Sequence, residues 1–242
     1  MTVGVAIMSY NYGPLLTHAL DSVFGQSVKP DEVFIVDDCS ERWQELTKQI
    51  AHDFGVKLIQ RKENMGIRPN FQDVLEHTFT ADACMFLGAD NWLHPQYIKK
   101  TLERLVGDVG AVGTDCFLVG EYGEYLQELH ERIYDRVDDI PVLRYQPTNI
   151  HHANWIHGSA LFDRKVALKV GGFYPENAVP TDQQMWCNME DNGYTLAKVN
   201  EPLLYYRKHR NNFNRTEAEL GRKKLLETED VYWERKKELG GV

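Results

Sequence analysis

The sequence predicts an α/β fold built on a mainly parallel sheet with helices on both faces, and three observations carry that prediction. Apolar runs of strand length alternate with amphipathic stretches of helix length through the first half of the 242-residue chain. The runs VGVAIM, EVFIVD and ACMFLG are continuously apolar rather than alternating, the pattern of strands covered on both faces. Each run ends in short polar residues, and ligands of parallel sheets bind beyond the carboxyl ends of the strands.

Taken in order, strands are expected at about 3–9, 33–37, 56–60, 83–88 and 110–118, with helices at about 14–26, 41–54, 69–80 and 95–106 between them. The segment from Glu121 to Asn149 changes character. It is charged and rich in tyrosine, with Pro141 and Pro147 near its end, and reads as a helix over about 123–135 followed by an irregular, flap-like stretch. From His151 onward the pattern predicts a strand at 158–163, a short helix to Val170, a turn at Gly171-Gly172-Phe173, a helix at 181–192 and a strand at 195–206. The tail beyond Asn214 is highly charged, with Leu220, Leu225, Leu226, Val231 and Trp233 on a broken stripe, and is expected to dock as a terminal helix. No repeat, low-complexity tract or linker divides the chain. One domain over 1–242 is therefore expected, with parts at 1–120, 121–150, 151–213 and 214–242.

Composition narrows the function classes. A hydrophobic content of 43% is that of an ordinary globular protein. No run of about 18 apolar residues exists, and the opening MTVGVAIMSYNYG lacks the basic n-region of a secretory signal, so a cytoplasmic protein with no transmembrane segment is expected. Net charge is −9. That balance argues against a general nucleic-acid binder, whose affinity comes from neutralised phosphates. Cys39, Cys84, Cys116 and Cys187 are scattered without a C-x-x-C pair, so a zinc site or a disulfide framework is not expected.

Several polar residues fall at the predicted strand ends, and each has an ordinary structural reading. Asp37 and Asp38 end the second strand and face opposite ways. Either can accept a hydrogen bond from the imide N–H of a pyrimidine base, and either can cap the next helix together with Ser40. Asp90-Asn91 after the fourth strand is a turn pair or a pair of oxygen donors for a hard cation. Thr181 is a natural N-cap, and Asp182 suits the positive end of a helix. Trp155 and Trp186 are core residues or stacking platforms for a sugar. His151, His152 and His157 read as loop or pocket-lining residues, since no helical H-x-x-x-H spacing occurs.

Six motifs in order, Ser9-Tyr10-Asn11, Val36-Asp37-Asp38-Cys39-Ser40, Gly88-Ala89-Asp90-Asn91, Gly171-Gly172-Phe173, Thr181-Asp182 and Tyr206-Arg207-Lys208-His209, resemble the family 2 glycosyltransferases. The resemblance runs from about Val3 to about Asn212. It implies the GT-A, Rossmann-like fold with a C-terminal acceptor-side half, and inverting transfer from a nucleoside diphosphate sugar, a UDP-sugar first with dTDP and GDP sugars as alternatives, to a saccharide or glycoconjugate. It also implies roles: Ser9, Tyr10, Asn11, Asp38 and Ala89 beside the nucleotide, Asp90 and His209 on a divalent Mn²⁺ or Mg²⁺, Asp182 as the base that takes the acceptor proton, and Gly172, Trp155 and Trp186 beside the acceptor. Arg68, in a loop like the family's N-x-G segment, is expected to reach a phosphate or the base, while Arg207, Lys208 and Arg210 are expected to steady the diphosphate.

The chain departs from the pattern at two places: Ala89 stands where the family has an acid of its D-x-D signature, and Thr181 where it has the first acid of E-D. Asn91 is then expected to serve as a second oxygen donor. These losses keep a non-catalytic nucleotide-sugar binder as an alternative. A nucleotidyltransferase would share the sheet and the acidic site, but there is no N-terminal glycine-rich loop ending in basic residues to hold a triphosphate. Arg222-Lys223-Lys224 and Arg235-Lys236-Lys237 offer contact with an anionic membrane or a nucleic-acid acceptor, against the plainer reading of a salt-laced helix.

Overall fold

The computed structural model describes residues 1–124, 135–137, 140–176 and 179–209. The expected terminal helix, Arg210, and most of the helix expected over 123–135 lie outside the described residues. The first half follows the predicted alternation: β1 (Val3–Ser9), α1 (Gly13–Phe24), β2 (Glu32–Asp37), α2 (Gln44–Asp53), β3 (Lys57–Gln60), α3 (Ile67–His77) and β4 (Ala83–Gly88). Then come β5 (Trp92–Leu93), α4 (Tyr97–Leu102), β6 (Val109–Val119), β7 (Asp135–Val137) and β8 (Ile140–Leu143). The second half holds β9 (Leu161–Asp163), α5 (Arg164–Lys169), α6 (Thr181–Asp191) and β10 (Thr195–Arg207).

The strands form one sheet in the order β3-β2-β1-β4-β9-β6-β10-β5, with β8 on β6 and β7 on β8. Neighbours β3, β2, β1 and β4 are parallel, as are β6 and β10. Between these parallel groups the three-residue β9 runs antiparallel to both β4 and β6. The later half of the chain thus supplies a strand to the middle of the sheet. The β7–β8 hairpin and the edge pairing of β5 with β10 are also antiparallel.

Period-two alternation sorts the apolar side chains onto two faces. Val5, Ile7 and Ile35 pack with Leu16, Leu20 and Ile98 of α1 and α4. Ala6, Phe34, Val36 and Phe86 point the other way, toward Val74 of α3, Ala167 of α5 and Met185 of α6. Such side chains stabilise the fold by about 1.5–3 kcal/mol each on full burial, and this is why the strands read as unbroken apolar runs. Phe173 is stapled to the second face by Phe71 and Phe86, with ring centroids 5.5 Å and 5.7 Å away. Among the described residues no helix is long and apolar enough to cross a membrane.

Candidate active site

Hydrogen bonds join the rim loops at the carboxyl ends of β1, β2 and β4. The N–H of Asp38 donates to Ser9 O at 2.9 Å, and that of Ala89 donates to Met8 O at 2.9 Å. The adjacent aspartates divide the work. Asp37 is fully buried and accepts both the N–H of Ser40, at 3.1 Å, and the Ser40 hydroxyl. Ser40 Oγ in turn accepts from Asn11 N at 2.8 Å, and Asn11 Oδ1 accepts from Arg42 N at 3.0 Å. Helix α2 starts later than expected, with Trp43 as its N-cap and no side-chain cap bond. The Asp-Ser pair therefore caps its own loop rather than the helix.

Asp38 faces the other way. Its two oxygens accept the N–H groups of Met65 and Gly66 at 2.9 Å and 3.0 Å. Burial raises its pKa, and these two bonds pull it back toward the ionised form. A carboxylate oxygen has two lone pairs, so this arrangement leaves acceptor capacity on both. Ser9 Oγ is buried without a hydrogen-bond partner, and Tyr10 beside it is partly exposed.

At the end of β4, Ala89 is buried in the core, as a methyl group in that place should be. Asp90 Oδ2 lies 3.2 Å from Nε2 of His209, which follows β10. The ring of Tyr12 meets His209 edge-on at 5.5 Å. Burial first, and then the charge of Asp90, hold the Tyr12 phenol far above its usual range, so it stays protonated. The expected donor pair at Asp90 and Asn91 needs correcting. Asn91 Oδ1 already accepts the backbone N–H of Arg207 at 3.0 Å. Arg207 is likewise not spent on a diphosphate: it is 1% exposed, donates Nε to Asp90 O and Nη1 to Glu121 O, both at 2.8 Å, and lies 4.9 Å from the Trp92 ring centroid. Both residues tie the end of β10 to the Asp90 loop, a tertiary role that residue type does not reveal.

The pair of Asp90 and His209 fits a small divalent cation. Two donor atoms in adjacent positions of an octahedral ion, at bonds of about 2.0–2.1 Å, stand about 3 Å apart. Carboxylate with imidazole suits Mn²⁺, and a cation that keeps waters and substrate oxygens needs few protein ligands. Among the described residues no third His, Cys, Asp or Glu joins them.

Asp182 lies in the first turn of α6, where Pro180 rather than Thr181 is the N-cap. Asn154 Nδ2 donates to Asp182 Oδ2 at 2.9 Å, while Asn154 Oδ1 is buried without a partner. Gly158 packs so closely that an added Cβ would sit 3.2 Å from Asp182 Oδ2. Burial raises the Asp182 pKa, opposed by the Asn154 bond and the N–H of Gln183. The result is a partly buried carboxylate that is a stronger base than a solvated one.

The same loop carries His157. Its Nδ1 accepts from Ser159 N at 3.0 Å, and its ring meets Tyr206 at 5.1 Å. Burial pushes its pKa down to about 4 against the pull of Asp90, so the ring is neutral. Lys208 Nζ covers the same Tyr206 ring at 4.4 Å from its centroid. The sequence marks His157 as a loop or pocket-lining residue and does not single out Asn154, because neither falls in a periodic or motif position.

Four expected site residues turn out to be structural. Trp186 is fully buried beside Phe162, and Trp155 is 7% exposed within the same core cluster, so neither face is open to a sugar. Gly172, with φ of 60°, is buried between α3 and α6; a Cβ there would meet Gln72 Oε1 at 2.5 Å, and its carbonyl accepts from Asn188 Nδ2 at 2.9 Å. Arg68 is 8% exposed and donates Nη1 to Phe173 O at 2.6 Å and Nη2 to Val179 O at 3.5 Å. Its guanidinium joins α3 to the turn before α6 instead of reaching a phosphate.

Known proteins share this fold. Residues 4–171 match the model of glycosyl transferase family 2. An uncharacterised glycosyltransferase of Haemophilus influenzae is 24% identical over 84% of this chain and 67% of its own length. An uncharacterised Mycobacterium tuberculosis protein is 25% identical over 86% and 59%. Among solved structures, S. aureus TarS 1-349 in complex with UDP-GlcNAc superposes with a TM-score of 0.64 at 14% identity, over 88% of this chain and 60% of that one. The mannosyltransferase PcManGT from Pyrobaculum calidifontis, in complex with GDP-Man and Mn²⁺, gives 0.63 at 17% identity, over 88% and 59%. The chain thus spans about three fifths of these solved chains, which share its fold. A family match over most of the chain, on a sheet whose strand ends gather Asp38, Asp90 and His209 at one rim, shows that this chain belongs to glycosyl transferase family 2.

Proposed function

We propose that the chain transfers a sugar from a nucleoside diphosphate sugar, a UDP-sugar, to a hydroxyl of a saccharide or glycoconjugate, with inversion. The observation that carries this reading is the Asp90–His209 pair beside the β1 and β2 loops, with a raised-pKa carboxylate, Asp182, on the acceptor side. On this reading residues 1–120 hold the donor and residues 151–213 present the base. Asp38 accepts the imide N–H of the base, and the orphaned Ser9 hydroxyl and Asn11 meet the nucleoside. Asp90 and His209 would hold Mn²⁺ or Mg²⁺, which would supply positive charge to the diphosphate.

The bond changes are those of one direct displacement. The acceptor oxygen attacks the anomeric carbon, its proton passes to Asp182, and the bond from that carbon to the diphosphate breaks with its electron pair leaving on the nucleotide. Asp182 must be ionised to act, and the bond from Asn154 to its Oδ2 orients the carboxylate. Support for a uridine donor comes from the imide-accepting position of Asp38 and from the UDP-GlcNAc bound by TarS; the GDP-Man bound by PcManGT makes GDP the comparison to run. The test is release of UDP from UDP-GlcNAc, or of GDP from GDP-mannose, by wild type and Asp182→Asn. Loss of a general base lowers such turnover by about 10²–10⁴-fold. Equal rates in the two proteins would contradict the assignment.

A further inference from the structure

The loop from Asn154 to Ser159 touches both halves of the site. Asn154 and Gly158 pack on Asp182, and His157 between them reaches the opposite side, within electrostatic range of Asp90 and Lys208. Its hydrogen-bonding state follows from geometry. The N–H of Ser159 donates to Nδ1 at 3.0 Å, so Nδ1 carries no proton and the hydrogen sits on Nε2. That Nε2–H has no hydrogen-bond partner among the described residues, while the ring is kept in place edge-on to Tyr206 at 5.1 Å. A neutral donor with a fixed tautomer is therefore presented by the loop that packs on Asp182, within electrostatic range of Asp90.

We infer that His157 donates Nε2–H to a hydroxyl of the transferred sugar and thereby helps select the donor. The inference rests on the donor-site reading above. A neutral N–H suits a neutral hydroxyl, whereas charged oxygens of the diphosphate have Lys208 and a cation at Asp90 and His209 to meet them. A site that hydrogen-bonds a hydroxyl also rejects a sugar lacking it, because its own donor is then left unpaired.

Two substitutions separate this role from a structural one. The amide of Asn ends at the reach of Nδ1, so His157→Asn keeps an acceptor for Ser159 N and loses the donor at Nε2. The amide of Gln reaches the place of Nε2, so His157→Gln keeps the donor and loses the acceptor. Calorimetry would compare UDP with UDP-GlcNAc and GDP with GDP-mannose, using the pair that the wild type binds. His157→Asn is expected to weaken the sugar nucleotide about tenfold and to leave the nucleoside diphosphate within about twofold, the loss of one hydrogen bond. His157→Gln is expected to recover the sugar nucleotide to within about threefold.

The opposite order, with Asn equal to wild type and Gln impaired, would make His157 a loop cap and overturn the inference. Equal weakening of nucleotide and sugar nucleotide would place the contact on phosphate and also overturn it. A wild type that binds no nucleotide would instead sink the donor-site reading itself, with this inference resting on it.

Discussion

Arg207 Nε donates to the backbone carbonyl of Asp90 at 2.8 Å, so the residue two before His209 holds the main chain of the residue that His209 faces. The relationship makes Arg207 the strap of the Asp90–His209 pair: Asn91 accepts its N–H, Glu121 its Nη1, and Trp92 its π contact. Its substitution takes this donor from two half-buried carbonyls. Arg207→Ala is expected to cost about 2–4 kcal/mol in urea unfolding and to weaken Mn²⁺-dependent nucleotide binding, because the alignment of Asp90 and His209 loosens. A variant with unchanged stability and metal dependence would remove Arg207 from this role.

Arg68 gives the contrasting case. Its guanidinium is committed to Phe173 O and Val179 O, with Glu176 at 3.8 Å. Charge-assisted bonds of this kind contribute about 1.5–3 kcal/mol, so Arg68→Ala is expected to lower the unfolding midpoint by that equivalent while nucleotide affinity changes less than about twofold. Calorimetry on the folded variant checks it. A large loss of affinity with intact stability would restore the phosphate role expected from the sequence.

For Asp182 the sign follows from its raised pKa. Burial penalises the ionised form in the folded state, so the carboxylate costs no stability below the ordinary carboxyl range, costs progressively more as pH rises toward the raised value, and keeps the full penalty above it. Asp182→Asn is therefore expected to raise the melting temperature at pH 7 while lowering turnover by about 10²–10⁴-fold. Asn154→Ala removes a bond that lowers this pKa, so the acid limb of its kcat/KM profile is expected to move to higher pH. A limb that stays in place in Asn154→Ala would separate Asp182 from the proton transfer.

Cys39 stands between Asp38 and Ser40 with φ of 60°, a left-handed conformation that side chains with a Cβ adopt at a cost of about 1–2 kcal/mol. Its sulfur makes one long contact, 3.5 Å to Lys62 O. Cys39→Gly is expected to stabilise the protein by about 0.5–1 kcal/mol, the strain relieved less the extra chain entropy of glycine. Chemical unfolding of the two proteins decides the sign.

Much of the fold was legible because the strands are doubly covered. Continuous apolar runs located β1, β2 and β4 almost to the residue, and their polar ends marked the rim. Strand β9 was expected, but its antiparallel place between β4 and β6 was not, since three residues carry no signal of direction or neighbour. The two-residue β5 is below the length at which alternation can be seen. At the candidate site, the approach of Asp90 to His209 was legible from motif order, and what the pair does belongs to the proposal. The directions of Arg68, Arg207 and Trp186 were not, because a long side chain between a pocket and a core is assigned only by what packs around it. The sequence does not single out Asn154 and His157 for a related reason: a loop has no period, and their placement comes from Asp182, Ser159 and Tyr206 meeting them in space.

The central claim is that Asp90 and His209 hold a cation against the diphosphate of a bound nucleotide. Titration of the purified protein with UDP and GDP by calorimetry, with and without Mn²⁺, and again in Asp90→Ala, tests it most directly. The account predicts binding of one nucleotide, UDP, that is strengthened by Mn²⁺, with the strengthening lost in Asp90→Ala. Nucleotide binding that ignores Mn²⁺ in both proteins would contradict the cation site, and no binding of either nucleotide would contradict the donor site as a whole.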